Sequence, residues 1–464
     1  MKMKWNTLLN STQLGDRPTK KENNRSPFNS DHDKIIFSGA FRRLARKTQV
    51  HPLATNDHIH NRLTHSLEVA CVGRSLGIGI GRALQKKDKL PDGIQPTDIG
   101  DIVQSSCLAH DIGNPPFGHT GEEAIRHWFR HDGSKYLAGL LPAEQHDLLN
   151  FEGNAQGLRV LTSFEYHPYD GGMRLTYATL ASFIKYPWTF LPTAEGKRQK
   201  SNKYGIFQSE LAIFHEIAKS VGLKKLDGDD WYARHPLAYL MEAADDFCYG
   251  LLDLEDGLEM GILTWDEIYR TLKPVLKNTG SLGSSRELED NMKRVSDGRK
   301  PSLLRGKIID VYIKAATKAF IDNEKSFLSG KIQGDLISLC SGEVKESVLA
   351  AKKMAKDKIF QHPRKVELEI GAYNVMATLL EIMCCAAEEW VAEGNTGSGE
   401  PLSFRSKRAI TLLGENSFHP LLKSEDEPPN TPKYLALMRV IDFISGMTDH
   451  YATYLAKQFS GVGK

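Results

Sequence analysis

Apolar residues recur at intervals of three and four along almost the whole chain, a spacing that confines it to helices. Val69, Val72, Leu76, Ile80 and Leu84 mark one face of a helix from about 64 to 85. The stretch DIVQSSCLAHDIG (101–113) reads the same way, with Gly113 as its C-terminal stop. Ser209 to Val221, Pro236 to Leu254, Arg305 to Phe327 and Tyr434 to Phe459 repeat the pattern. Sustained period-two alternation between turn signals, the mark of a sheet, is nearly absent. The expected fold class is all-α.

A chain of 464 residues with 40% apolar residues can bury a large core. Sixty basic and 58 acidic residues leave a net charge of +2, so no overall field recommends a nucleic-acid or membrane partner. Two local basic clusters, Arg42, Arg43, Arg46, Lys47 and Lys197, Arg198, Lys200, Lys203, read as solvated surface. The six cysteines form no C-x-x-C pair, which points to a reduced compartment. The N-terminal segment lacks an apolar h-region, and the run Val375 to Ala387 is interrupted by Glu381. A soluble, cytoplasmic protein without a membrane partner is expected.

Stretches rich in Gly, Ser, Pro and charge at Thr193 to Lys203, Asn278 to Pro301, Gly394 to Pro401 and Ser424 to Pro432 read as loops. None reads as a domain linker, so one helical body is expected. Its core takes in roughly the first 260 residues, and a helical remainder packs on it.

Three segments carry chemistry: RLTHSLEV (62–69), AHDIGNPPFGHTGEEA (109–124) and MEAADDFCYGLLDLED (241–256). They supply a histidine, an adjacent His-Asp pair and a distant aspartate, two imidazoles and two carboxylates in all. Such a set suits Mn, Fe, Ni or Zn and takes Mg less readily. Neighbouring residues project about 100° apart around a helix, so both members of the pair reach one ion most easily at a helix end. Gly113 and two prolines supply that end.

Together these segments resemble the HD phosphohydrolase superfamily and, within it, the bacterial dGTP triphosphohydrolases. The resemblance extends through FRRLARKTQVHPL, HDIGNPPFGHTGEEAI, FEGNAQGLR, MEAADD-x-x-Y-x-x-x-DLED and ISGMTDHYA, in family order from about 37 to 454. It implies an HD-domain helical fold with additional C-terminal helices: an N-terminal arm (1–36), an HD-type catalytic core (37–275) and a helical C-terminal region (276–464) packed on that core. It implies His65, His110, Asp111 and Asp245 as ligands of a divalent metal ion. Mn²⁺ or Mg²⁺ comes first, with Fe, Co, Ni or Zn as alternatives.

His119 and Glu122 follow the HD pair. His119 has three readings: a second-metal ligand, a structural histidine at a helix start, or a general acid or base oriented by Glu122, which the family implies. Thr120-Gly-Glu-Glu123 has capping-box spacing, which would occupy Glu123 and leave Glu122 free. The third reading is therefore favoured. Arg62, Asn154, Lys185, Tyr186 and Tyr249 match family positions around the polyphosphate and sugar. Gln49 and Asp253 match positions that contact the 3′-hydroxyl. Asn114 stands where the vertebrate dNTP hydrolases carry a further histidine.

The reaction implied is attack of a metal-associated water on the α-phosphorus of dGTP, or of other dNTPs. It yields deoxynucleoside and tripolyphosphate and would serve control of the dNTP pool. A homo-oligomer is implied too, with single-stranded DNA as a conceivable regulator. The alternatives are another HD-type nucleotide phosphohydrolase or phosphodiesterase, or a regulatory protein that binds dNTPs or single-stranded nucleic acid.

Overall fold

The computed structural model describes residues 2–15, 25–50, 58–162, 171–190, 203–226, 230–278, 290–296, 299–396, 402–414 and 430–462. Among these there is no β-strand, only isolated bridges such as Thr48–Asn61, and the fold is all-α. Most of the loops expected at 193–203, 278–301, 394–401 and 424–432 lie outside the described residues. Eight helices position the site: α1 (Arg62–Lys86), α2 (Pro96–Ala109), α3 (His119–Arg130), α4 (Gly153–Thr162), α5 (Ala238–Glu259), α6 (Pro363–Thr396), α7 (Pro432–Ser445) and α8 (Asp449–Phe459).

Helix α1 starts where Asn61 accepts from the backbone amides of Leu63 and Thr64, while Thr64 accepts in return from the Asn61 amide. Its apolar face buries Val69, Val72, Leu76, Ile80 and Leu84 as the periodicity requires. The periodicity did not show how closely α2 lies against it. A Cβ at Gly77 would sit 2.7 Å from the Ile99 carbonyl oxygen, and one at Gly81 would sit 2.6 Å from Cα of Pro96. Only residues without side chains allow two backbones this near, and the approach brings the C-terminal end of α2 beside the first turns of α1.

Apolar packing forms two clusters. The first joins α1, α2 and α5 with helices between Leu304 and Ile359. The second is shared between residues from Phe117 to Ala155, Trp188, Tyr204 and Phe207, and residues from Ala372 to Ala456. Helix α6 is its spine, packed against α3, α7 and α8. Lys365–Glu393, within α6, is long and apolar enough by length and composition to cross a membrane, which reading the interrupted run at Glu381 did not anticipate. Half of that window is buried inside the protein, with Met376, Leu379, Leu380 and Met383 at 0% exposure. The apolar face is thus explained by the packing of the core.

Several local expectations are corrected. The run Tyr434 to Phe459 is two helices, because Thr448 caps a new one by accepting from the Tyr451 amide. The run Arg305 to Phe327 is likewise divided, at Asn323. The Thr120–Glu123 capping box does not form. Helix α3 already begins at His119, with Gly118 as its cap residue, and Thr120 instead donates to Glu369, 3.1 Å away. Lys47 is not solvated surface: it is 2% exposed, and its ammonium donates to the carbonyls of Asn114 and Ser445, each at 2.6 Å.

Candidate active site

His65 stands one turn into α1, and His110 immediately follows the last residue of α2. The Nδ1–H of His110 donates to the Cys107 carbonyl at 2.6 Å, which fixes the ring and leaves Nε2 free to act as a ligand. Asp245, midway along α5, completes the group. Nε2 of His65 lies 3.1 Å from its Oδ1, and Nε2 of His110 lies 3.5 Å from the same atom. The donor atoms of His65, His110 and Asp245 all fall within 4.8 Å of one another, a cluster able to hold a metal ion. Asp111 stands beside it, its Oδ2 3.6 Å from Nε2 of His110 and 2.8 Å from Nη1 of Arg62. The structure thus brings three of the four expected ligands into one cluster and turns the fourth toward Arg62.

The electrostatics suit a cation. Burial works against the charge of Asp245, but the imidazoles of His110 and His65 outweigh it and hold the carboxyl well below its usual range. Burial likewise opposes Asp111, and the Arg62 guanidinium keeps it ionised. In His110 burial disfavours the imidazolium, yet Asp111 and Asp245 raise it to about 9. A proton held this firmly between nitrogen and carboxylates sits where a divalent ion can replace it.

Between the HD pair and α3 the chain makes a tight turn. A Cβ at Gly113 would lie 2.1 Å from the Gly157 amide nitrogen, so this glycine serves close contact with α4 rather than simply stopping a helix. Phe117 (φ 63) and Gly118 (φ 58) are both left-handed, and a Cβ at Gly118 would lie 2.4 Å from Nη2 of Arg62. The residue preceding His119 is therefore packed directly on Arg62. The His119 side chain is 78% exposed, and its Nδ1 lies 2.9 Å from Oε2 of Glu122. Glu122 is buried, and its Oε1 accepts from the Gly153 amide at 2.7 Å. Burial would raise Glu122, but the hydrogen bond from His119 and the nearby charges of Lys203 and Arg126 bring it down to about 2.

The remaining expected residues lie in several sets. Asn154 donates to Glu152 at 2.6 Å, and Glu152 also takes Lys203 at 2.9 Å and Arg126 at 3.4 Å. Lys185 lies 3.4 Å from Glu242 and faces the Tyr186 ring at 5.7 Å. Burial disfavours the Lys185 ammonium, but Glu242 more than compensates and keeps it charged. Tyr249 is partly buried on α5, with its ring 6.0 Å from that of Phe360. Burial and the Asp253 carboxylate both suppress ionisation of its hydroxyl. Oε1 of Gln49, Nε of Arg62 and Oδ2 of Asp253 are buried without a hydrogen-bonding partner among the described residues.

Reading the sequence missed Lys203, Arg126, Arg234 and Phe360. Lys203 was assigned to a solvated cluster. Arg234 lies 2.7 Å from Glu242 and over the Tyr186 ring at 5.3 Å. Phe360 directly follows a π-helical turn at Ala355–Ile359, a conformation without a local sequence signal.

Comparison with known proteins agrees with this geometry. The HD domain family matches residues 62–184, which takes in Arg62, His65, the His110-Asp111 pair, His119 and Glu122. A deoxyguanosinetriphosphate triphosphohydrolase-like protein of Pseudomonas aeruginosa is 50% identical over 99% of both chains. Proteins of the same description from Synechocystis and Listeria monocytogenes are 38% and 34% identical, over 99% of this chain and 100% of theirs. With identity at these levels sustained from end to end, the chain belongs to the deoxyguanosinetriphosphate triphosphohydrolase-like family of HD-domain proteins.

Proposed function

We propose that this protein hydrolyses dGTP, and to a lesser extent other dNTPs, to deoxynucleoside and tripolyphosphate. Family membership makes it an HD-type nucleotide phosphohydrolase. One observation supports the finer reading: three residues expected to meet the substrate, Gln49, Arg62 and Asp253, carry buried polar atoms without a hydrogen-bonding partner among the described residues. Folded proteins leave few such atoms, each costing about 1–3 kcal/mol, and a polyanionic sugar nucleotide with its metal ion supplies partners of the right kind.

His65, His110 and Asp245 would hold the ion, with Asp111 adjacent as a fourth donor. When bound, a divalent cation supplies Lewis-acid polarisation of phosphoryl oxygens and acidifies water. The side chains do the rest. Arg62 and Lys185 hold the triphosphate by charge-assisted hydrogen bonds and so fix the α-phosphorus for in-line displacement. His119, its Nδ1 held by buried Glu122, presents Nε2 as the proton donor to the departing 5′-oxygen. Gln49 and Asp253 offer acceptors to the sugar 3′-hydroxyl, and Tyr249 packs beside the sugar.

The test is direct. Purified protein is incubated with each dNTP and Mn²⁺ or Mg²⁺, and the products are separated by chromatography. Deoxyguanosine and tripolyphosphate should appear together from dGTP. Accumulation of dGDP or dGMP would instead assign the protein to stepwise phosphatase chemistry within the HD superfamily.

A further inference from the structure

We propose that Asp449, the first residue of α8, is a positioning residue that clamps the loops presenting Gln49 and His119. The proposal rests on the reading of those two residues given above. Asp449 is 1% exposed, and its carboxylate takes three donors from two distant segments. Oδ2 accepts from the Thr48 amide at 3.0 Å and from the Thr48 hydroxyl, and Oδ1 accepts from the Phe117 amide at 2.9 Å. Thr48 immediately precedes Gln49, and Phe117 lies two residues before His119. One buried carboxylate from the far end of the chain therefore grips both sides of the candidate site.

The Phe117 contact matters because of the backbone there. Left-handed φ at a bulky aromatic residue is costly, and the turn persists only if its surroundings over-determine it. The hydrogen bond to an anionic acceptor is such a constraint, stronger than one to a neutral group. Thr48 is in turn bridged to Asn61, the cap of α1, so the clamp also reaches the helix start that carries Arg62. Lys47 reinforces the same junction by joining the Asn114 carbonyl to that of Ser445, at the end of α7. Among the described residues, the ligand-bearing segments of α1, α2 and α5 donate no hydrogen bond to the Asp449 carboxylate. A change there should disturb the geometry of His119 and Gln49 while sparing metal binding.

Hydrogen–deuterium exchange on the full-length protein tests the clamp without reference to activity. In Asp449→Asn one carboxylate oxygen becomes an NH2 that faces a donor, so amides in 47–50 and 117–119 should exchange about 10–100-fold faster, while peptides from α1, α2 and α5 keep wild-type rates. Thr48→Val removes one donor and should loosen only 47–50. Mn²⁺ stoichiometry should stay at the wild-type value, dGTP turnover should fall about 10–100-fold, and the pH profile of kcat should lose the same limb that His119→Ala loses. Wild-type protection in both loops would overturn the proposal, as would uniform acceleration across all helices. If the wild-type protein proves not to cleave dGTP, the functional reading fails, but exchange still decides whether the clamp exists.

Discussion

Nδ1 of His119 lies 2.9 Å from Oε2 of Glu122, an exposed imidazole held by a buried carboxylate. With Nδ1 engaged, Nε2 is the free nitrogen, directed by a partner that is itself fixed through the Gly153 amide. His119→Ala should keep its metal and lose roughly 10²–10⁴ in turnover, the usual cost of a missing general acid or base. Glu122→Gln should lose less, because the ring remains but its orientation and charge support weaken. Elemental analysis after gel filtration, paired with kcat, checks both variants. Loss of the ion on His119→Ala would move that residue into the metal shell.

The cluster of His65, His110 and Asp245 makes a second expectation. Asp245 contributes the only carboxylate in it, 3.1 Å from one imidazole and 3.5 Å from the other. Asp245→Ala should therefore release the ion and abolish hydrolysis together. Chelation of the wild-type protein should do the same reversibly, with activity restored by Mn²⁺. Full metal content in the variant would remove Asp245 from the ligand set.

Much of this centre was legible because its pieces lie in short, dense motifs. His65, the HD pair and Asp245 each sit in a run whose apolar spacing also fixes a helix, so chemistry and local structure could be read together. What escaped depends on partners far away in sequence. Lys47 looked like one more surface cation, yet Asn114 and Ser445 enclose it. The capping box at Thr120 follows from local spacing, but the helix starts at His119, two residues earlier than that box would place it, with its cap Gly118 packed on Arg62. Periodicity continues across Gly446 to Thr448 and so hid the break that lets α8 begin at Asp449. No spacing rule connects residue 48 to residue 449.

A third expectation concerns stability and pH. Nδ1 of His60 lies 2.6 Å from Asp256 and its Nε2 lies 3.3 Å from Glu68, which ties the entry to α1 onto α5. Burial disfavours its charge, but hydrogen bonds to the two carboxylates raise it to about 10 from an ordinary 6.5. A pKa raised on folding stabilises fully below the unfolded value and is lost as pH rises through the folded one. His60→Gln should thus cost about 1–3 kcal/mol near pH 6, and the gap to wild type should close between pH 7 and 10. Thermal unfolding of both proteins at pH 6, 8 and 10 measures this. A gap that stays constant across that range would show the charge of His60 to be unimportant.

The last expectation concerns the sugar. Tyr249 follows Asp245 by four residues on α5, so the two side chains share a face of one helix. Asp253 follows by four more, and its buried Oδ2, without a hydrogen-bonding partner among the described residues, is available to a hydroxyl. Phe360 lies against the Tyr249 ring at 6.0 Å, and the two rings together form an aromatic surface. A deoxyribose placed there with its 3′-oxygen toward Asp253 would turn C2′ toward the aromatic surface. A 2′-hydroxyl would then be buried without a partner at a cost of about 1–3 kcal/mol, which is roughly a tenfold to hundredfold preference for dGTP over GTP. Tyr249→Ala should narrow the dGTP:GTP ratio in kcat/KM even as total activity falls. Tyr249→Phe, which keeps the ring, should preserve it. Should the ratio survive in Tyr249→Ala, the ring serves packing alone, and discrimination must come from the groups that hold the 3′-hydroxyl.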